Sequence, residues 1–326
     1  MKLYPLKFKP IPKYRIWGGD KLNSELNKGF NAENIGESWE ISDVEGDETQ
    51  VADGFLIGKT LRDLIGYYKA DFVGNTVYKK FGNEFPLLIK FIDAKTPLSI
   101  QVHPSDAVAK QRHNSFGKNE MWYVMQADEN SELIVGFQNE LNKATYQDYL
   151  NANKVLEVMH HEKVKKGDTF YIPTGRVHAI GAGVLLAEIQ QTSDITYRIF
   201  DYDRIDKQTG KKRDLHNDLA IDVIDFKVLK NYKTNYLKNL NTSNKLVHSP
   251  YFISNYLKVN GTIHKDYTTI DSFVIYICVS GLIKIVENNS MYELKKGETL
   301  LIPASIENIE LKSNETTEIL EVYFQK

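Results

Sequence analysis

Disulfide-forming residues are almost missing: the 326 residues include one cysteine, Cys278, so an intramolecular disulfide framework is excluded. Cys278 falls inside the apolar run FVIYICV, which is the setting of a small buried hydrophobe rather than a nucleophile. An excess of one charge is missing too. Lys and Arg number 41 against 43 Asp and Glu, a net of −2, so no global field draws the chain to nucleic acid or an acidic membrane. An anionic ligand would have to be met by a local cluster of cations. No apolar run approaches the roughly 20 residues that cross a bilayer, and the opening MKLYPLKFKPIPKYRIW lacks the apolar stretch of a secretion signal. The expectation is a soluble, cytoplasmic protein with room for two domains, each with its own core.

What the chain does contain is short strands. FPLLIKFID, LSIQVH, MWYVMQ, SELIVGF, DTFYIP and VLLAEIQQ are rich in branched and aromatic residues and bounded by Gly, Pro, Asn or Asp. Helical periodicity is confined to 60–81 and, more weakly, to 104–113, 144–153 and 218–225. A mainly β fold with a small helical insertion follows.

An internal repeat sharpens this. VKKGDTFYIPTGRVHAI (164–180) aligns without gaps with LKKGETLLIPASIENIE (294–310), with six identities in seventeen positions. Each copy reads as a basic turn, a Gly for tight backbone, and a strand ending at Pro. Two jelly-roll barrels of similar plan are expected, with a catalytic unit over 1–235 and a second over 236–326. The polar, Asn-rich stretch 230–250 is taken as the linker between them.

Four side chains carry the candidate chemistry: Gln101 and His103 in SIQVHP, Glu120 in GKNEMWYV, and His178 in IPTGRVHAI. Residues i and i+2 of a strand share a face, so Gln101 and His103 can point the same way. Two imidazoles, a carboxylate and an amide oxygen form a set suited to one zinc ion, with iron, cobalt or manganese as other possibilities. At the place of His178 the second repeat carries Asn308, and it has no Gln-x-His upstream. Only the first unit should bind metal through this pattern. The remaining histidines, His113, His160, His161, His216, His248 and His264, lie outside any motif and are read as surface or loop residues. Trp17, Trp39 and Trp122 are read as core packing.

SIQVHP, GKNEMWYV, IPTGRVHAIGAG and EIQQTSDITYRIFDYDR, in this order and after RIWGGDKL and IGESWEIS, closely resemble the type I phosphomannose isomerases. The likeness runs from about residue 10 to about residue 205 and is to the short bacterial form, without a large helical domain. It implies a zinc-dependent cupin, one ion per chain, that interconverts mannose 6-phosphate and fructose 6-phosphate. The metal ligands implied are Gln101, His103, Glu120 and His178. The sugar-site residues implied are Lys90, Lys118, Glu188, Asp194 and Arg198. On its own, Asp194 four residues before Arg198 reads as a solvated ion pair. Lys90 interrupts an apolar strand, and a buried lysine is costly without a partner. Ser99 and Lys118, each two residues before a metal donor, are assigned to the substrate phosphate, with Arg198 as a further cation.

The reaction expected is proton transfer between C2 and C1 through a cis-enediolate. Glu188 is the first candidate for general base and Lys90 the second. Two alternatives stay open: a non-haem iron cupin dioxygenase, since two His and a carboxylate resemble its facial triad, and a non-catalytic cupin that binds sugar phosphates. A monomer or homodimer, with no nucleic-acid or membrane partner, completes the expectation.

Overall fold

The computed structural model describes residues 2–325. Eleven strands lie in the first two-thirds of the chain: β1 (Ile11–Gly19), β2 (Ile35–Ile41), β3 (Leu87–Ala94), β4 (Ile100–Val102), β5 (Glu120–Ala127), β6 (Glu132–Phe137), β7 (Met159–Lys163), β8 (Thr169–Ile172), β9 (His178–Ile180), β10 (Val184–Gln191) and β11 (Tyr197–Phe200). Seven more follow: β12 (Ser243–His248), β13 (Ile253–Asp266), β14 (Val274–Ser280), β15 (Leu282–Glu287), β16 (Ser290–Lys295), β17 (Thr299–Ile302) and β18 (Asn308–Tyr323).

They form three antiparallel sheets. The first has the order β1-β2-β3-β10-β5-β8, the second β11-β4-β9-β6-β7, and the third is built from β12 to β18. The mainly β expectation holds. The sheets are open, and among the described residues none closes into a barrel.

The first sheet is covered on both faces, which explains why its strands read as continuous apolar runs. Leu87, Ile89 and Phe91 of β3, Met121 and Tyr123 of β5, and Leu185, Ala187 and Ile189 of β10 pack into one core with Ile275, Ile277, Leu320 and Val322 of the third sheet and with Phe252, just before β13. The alternate residues face the second sheet. There Ile92, Trp122, Val124 and Leu186 pack with Leu133, Val135 and Ile180. The polar members of this inward row, Lys90, Glu120 and Glu188, are all buried. A period of two therefore divides each strand between scaffold and site.

The repeat is visible in the backbone. β8 and β17 begin and end at the same offset, as do the starts of β9 and β18. Gly167 and Gly297 take φ of 88° and 84°, a region costly for other residues. Their N–H groups bond to the carbonyls of Val124 and Cys278.

Two expectations need correction. The stretch 60–81 is three short helices, Leu61–Tyr68, Ala70–Val73 and Asn75–Phe81. Breaks fall at Lys69 (φ 51°) and Gly74 (φ 90°). A Cβ on Gly74 would collide with the carbonyl oxygen of Asp271, and the Asp271 carboxylate accepts from the N–H groups of Asn75 (2.7 Å) and Thr76 (2.8 Å). Contact with the third sheet's loop thus overrides local periodicity. The expected linker 230–250 also contains β12, an edge strand with alternating burial. Helices Asp106–His113 and Lys143–Asn151 match expectation, and of 218–225 only Asn217–Ala220 is helical.

Gly74→Ala is expected to lower unfolding stability by about 1–3 kcal/mol, through strained backbone and the Asp271 collision. Gly66→Ala is the control: it lies inside Leu61–Tyr68 with open space around its Cβ position and should be neutral or stabilising by up to ~1 kcal/mol. Urea midpoints at constant slope decide between them.

Candidate metal centre and active site

The donors come from two sheets. Gln101 lies on β4, opposite His178 on β9 in the second sheet, and His103 follows one residue after β4 ends. Glu120 opens β5 in the facing sheet. Their side chains meet between the sheets: donor atoms of His103, Glu120 and His178 lie within 4.8 Å of one another. His103 Nε2 is 3.3 Å from Glu120 Oε1, and His178 Nε2 is 3.6 Å from Glu120 Oε2. Gln101 joins them, its amide nitrogen 3.3 Å from His178 Nε2. Half a turn of that amide puts its oxygen in the same place.

Three features of the cluster fit a cation. His103 Nδ1 donates to the carbonyl of Ile195 (3.0 Å) and His178 Nδ1 to that of Arg176 (2.8 Å). Each ring is thereby held with a free Nε2 lone pair toward Glu120, the outer-shell arrangement of metal-ligating histidines. Burial, reinforced by Lys118, pushes His103 down to about 3, and burial also lowers His178, so both imidazoles are neutral and able to ligate. Finally, His103 Nε2 and both oxygens of Glu120 are buried without a hydrogen bond. Lys118 Nζ lies at ion-pair distance, 3.0 Å from Glu120 Oε1, but off hydrogen-bond geometry. Burial alone would raise the Glu120 pKa. The Lys118 ammonium outweighs it and holds the group well below the usual carboxylate range. A charged carboxylate with both oxygens unbonded beside two neutral imidazoles is a site that a dication completes.

Beside the cluster opens a cavity of about 350 Å³. Six of the expected residues besides Gln101 line it: Lys90, Ser99, Lys118, Glu188, Asp194 and Arg198. Glu188 on β10 is in register with Lys90 on β3 and Trp122 on β5. Lys90 Nζ is 3.5 Å from Glu188 Oε1, and Trp122 Nε1 donates to Glu188 Oε2 at 2.8 Å. Burial and the nearby Glu120 charge push Glu188 up to about 7, against the pull of Lys90 and Lys118. Arg198, opposite Gln101 in the β11–β4 register, bonds the carbonyl of Asp214 (2.8 Å), while its buried Nε has no partner. Burial and Arg213 lower its pKa, as expected of a cation short of counter-charge. Asp194 is exposed and, among the described residues, makes no ion pair with Arg198; the solvated-pair reading of these two does not hold. Lys118 both lines the cavity and touches the donor cluster.

Several cavity residues gave no individual signal in the sequence. Arg15 forks onto Glu37, with 3.0 Å from Nε to Oε1 and from Nη2 to Oε2. Burial would raise Glu37, but Arg15 and Lys90 hold it far below the ordinary value. Both residues fall within RIWGGDKL and IGESWEIS, so the motifs marked the place without naming the side chains. Arg213 also lines the cavity, held by Asp201 at 2.8 and 2.6 Å. It lies in a run, KKRD, that reads as solvated loop. Trp39 and Trp122 are fully buried, as expected of core residues, yet each also donates its indole N–H to a cavity carboxylate. Of the other histidines, His216 backs the site by accepting from the Arg198 N–H (3.1 Å).

Antiparallel sheets enclosing buried N and O donors define a mainly β protein with a metal-competent centre and an adjoining polar cavity. Family comparison agrees and is more specific. Residues 6–148 match the model for the phosphomannose isomerase type I catalytic domain, and 242–323 that for the mannose-6-phosphate isomerase cupin domain. A probable mannose-6-phosphate isomerase of Bacillus subtilis is 34% identical over 92% of this chain and 94% of its own length. The Streptococcus mutans mannose-6-phosphate isomerase is 35% identical over 90% of each. The crystal structure of the Bacillus subtilis mannose 6-phosphate isomerase superposes with a TM-score of 0.88 at 30% identity, covering 99% of this chain and 100% of that one. The chain belongs to the type I phosphomannose isomerase family. Among its described residues, no helix is long and apolar enough to cross a membrane.

Replacing His178 by Ala should abolish stoichiometric metal binding while the protein still folds, as read by metal analysis on dialysed protein. Full metal content in that variant would remove His178 from the ligand set.

Proposed function

We propose that this chain is a metal-dependent aldose–ketose isomerase that interconverts mannose 6-phosphate and fructose 6-phosphate. One observation carries the reading. A carboxylate tuned near neutrality, Glu188, opens on the same cavity as Gln101 of the donor cluster and the undercompensated Arg198.

We assign Gln101, His103, Glu120 and His178 as ligands of one zinc ion, the metal their N/O set suits best. When bound, such an ion supplies a Lewis acid for the substrate's C1 and C2 oxygens. The residues do the rest. Glu188 takes the proton from C2 of the aldose and returns it to C1 while the proton of the C2 hydroxyl passes to O1, which turns the aldehyde into a ketone by way of the cis-enediolate. Its raised pKa suits it to both halves of that transfer. Lys90 is held between Glu188 Oε1 (3.5 Å) and Glu37 Oε2 (3.8 Å) and so serves better as a fixed positive charge than as the base. Arg198 presents its guanidinium to the oxygens that gain charge. Asp194, at the exposed edge, orients sugar hydroxyls. Ser99 and Lys118 hold the phosphate, Lys118 turning to it once Glu120 is a ligand.

Residues 1–235 are then the catalytic unit, and 236–326 a structural one that covers the rear of the first sheet. The repeat supports reading both as open versions of a jelly-roll plan. The dioxygenase alternative is not favoured: Gln101 occupies a position that an oxygenase needs open, and the cavity's cations suit a phosphorylated substrate. The non-catalytic alternative is not favoured either, since base, cations and donors are all present.

A coupled assay for fructose 6-phosphate formed from mannose 6-phosphate tests the reading directly. Arg198→Ala should lower kcat about tenfold or more, as loss of a fixed charge at the transition state does, with metal content unchanged. A wild-type rate in that variant would take Arg198 out of the chemistry. The acidic limb of kcat/KM gives a second test. Glu188 accepts a proton only when charged, so activity is lost as pH falls through its pKa. That midpoint should lie at or below about 7, since a nearby cation lowers it further. A limb well above 7 would exclude Glu188 as base.

A further inference from the structure

One fully buried side chain at the site has no part in the reading above. Trp122 is 0% exposed. It lies two residues beyond Glu120 on β5, on the same face, and stands opposite Glu188 in the β5–β10 register. Its indole N–H reaches Glu188 Oε2 at 2.8 Å, and its ring meets that of His178 edge-on, with centroids 5.3 Å apart and planes at 74°. One rigid side chain therefore touches both the candidate base and a candidate metal ligand.

The carboxyl torsion of a glutamate is soft and nearly two-fold. Lys90, at 3.5 Å from Oε1, supplies charge but no hydrogen bond to fix it. The Trp122 N–H does fix it. With Oε2 engaged, Oε1 is the oxygen turned to Lys90 and left for substrate. Indole suits this task because it only donates and does not titrate. It can hold a carboxylate in place without competing for the proton that carboxylate moves. A second indole–carboxylate pair lies on the other side of β3, within β2. Trp39 Nε1 donates to Glu37 Oε2 at 2.7 Å, and Lys90 lies 4.8 Å from the Trp39 ring centroid. Two indole donors thus pin the two carboxylates that flank one ammonium.

We propose that Trp122 is a positioning residue, whose N–H fixes the Glu188 carboxylate so that Oε1 faces the substrate at a set distance from the metal ligands. The proposal rests on the reading of Glu188 as the base.

The test compares kcat, KM and zinc content for the wild-type holoenzyme, Trp122→Phe, Glu188→Asp and the double variant. Phe keeps aromatic bulk and removes the donor. Asp keeps a carboxylate but withdraws it from the indole. Trp122→Phe should lower kcat about tenfold or more, the scale of a hydrogen bond to a charged group, with zinc content full and KM within about twofold. In the Glu188→Asp background the same change should cost less than about twofold, because the donor acts through Glu188. If Glu188→Asp is impaired but Trp122→Phe matches wild type, or if the two effects multiply in full, the positioning role is overturned alone. An unimpaired Glu188→Asp would overturn the base assignment and the positioning role with it. Should Trp122→Phe fail to fold, 3-benzothienylalanine at position 122, with sulfur in place of the N–H, decides by the same outcomes.

Discussion

Glu120 is the constraint around which the site is organised. It is a charged carboxylate, fully buried, with both oxygens free of hydrogen bonds and an imidazole nitrogen within 3.6 Å of each. Burying such a group without compensation costs several kcal/mol. Lys118 offsets part of this, and a cation held between the two imidazoles would offset the remainder. Because Glu120 belongs to one sheet and the histidines to the other, that same electrostatic demand couples the two sheets. The site is a clamp between layers, and its precision depends on how rigidly the layers are held.

That rigidity has a visible source. The sheet bearing Glu120, Lys90 and Glu188 shows its other face to the third sheet across a continuous apolar core. Among the described residues, the third sheet contributes none to the cavity lining. Its contribution is mechanical: it fixes a sheet that would otherwise have one face in water, and so fixes the candidate base Glu188 and the candidate ligand Glu120. Loss of the histidine and Gln-x-His positions in the second repeat is consistent with this division of labour.

Much of the site was legible in the sequence, and the reason is geometric. Gln101 and His103 share a face because strands alternate, and Lys118–Glu120 and Ser99–Gln101 obey the same rule. The order of the motifs then supplied partners that spacing could not. What was not legible depends on register between distant strands. Nothing local says that Trp122 stands opposite Glu188; Glu37 and Trp39 do share a face of β2 by the same alternation, but that rule does not say that the indole N–H meets the carboxylate, so all three tryptophans read as packing. Arg213 was hidden in a loop that looks solvated. The break at Gly74 was hidden because its cause, Asp271, lies almost 200 residues away. β12 was hidden because an edge strand can be polar on alternate residues and so resemble a linker.

The central claim is that Gln101, His103, Glu120 and His178 hold a single cation between two sheets. X-ray absorption at the zinc edge of zinc-loaded protein tests this most directly. The account predicts a first shell of nitrogen and oxygen alone at about 2.0–2.2 Å, with the outer-shell scattering of two imidazoles. A sulfur scatterer, or a shell without imidazole, would contradict it.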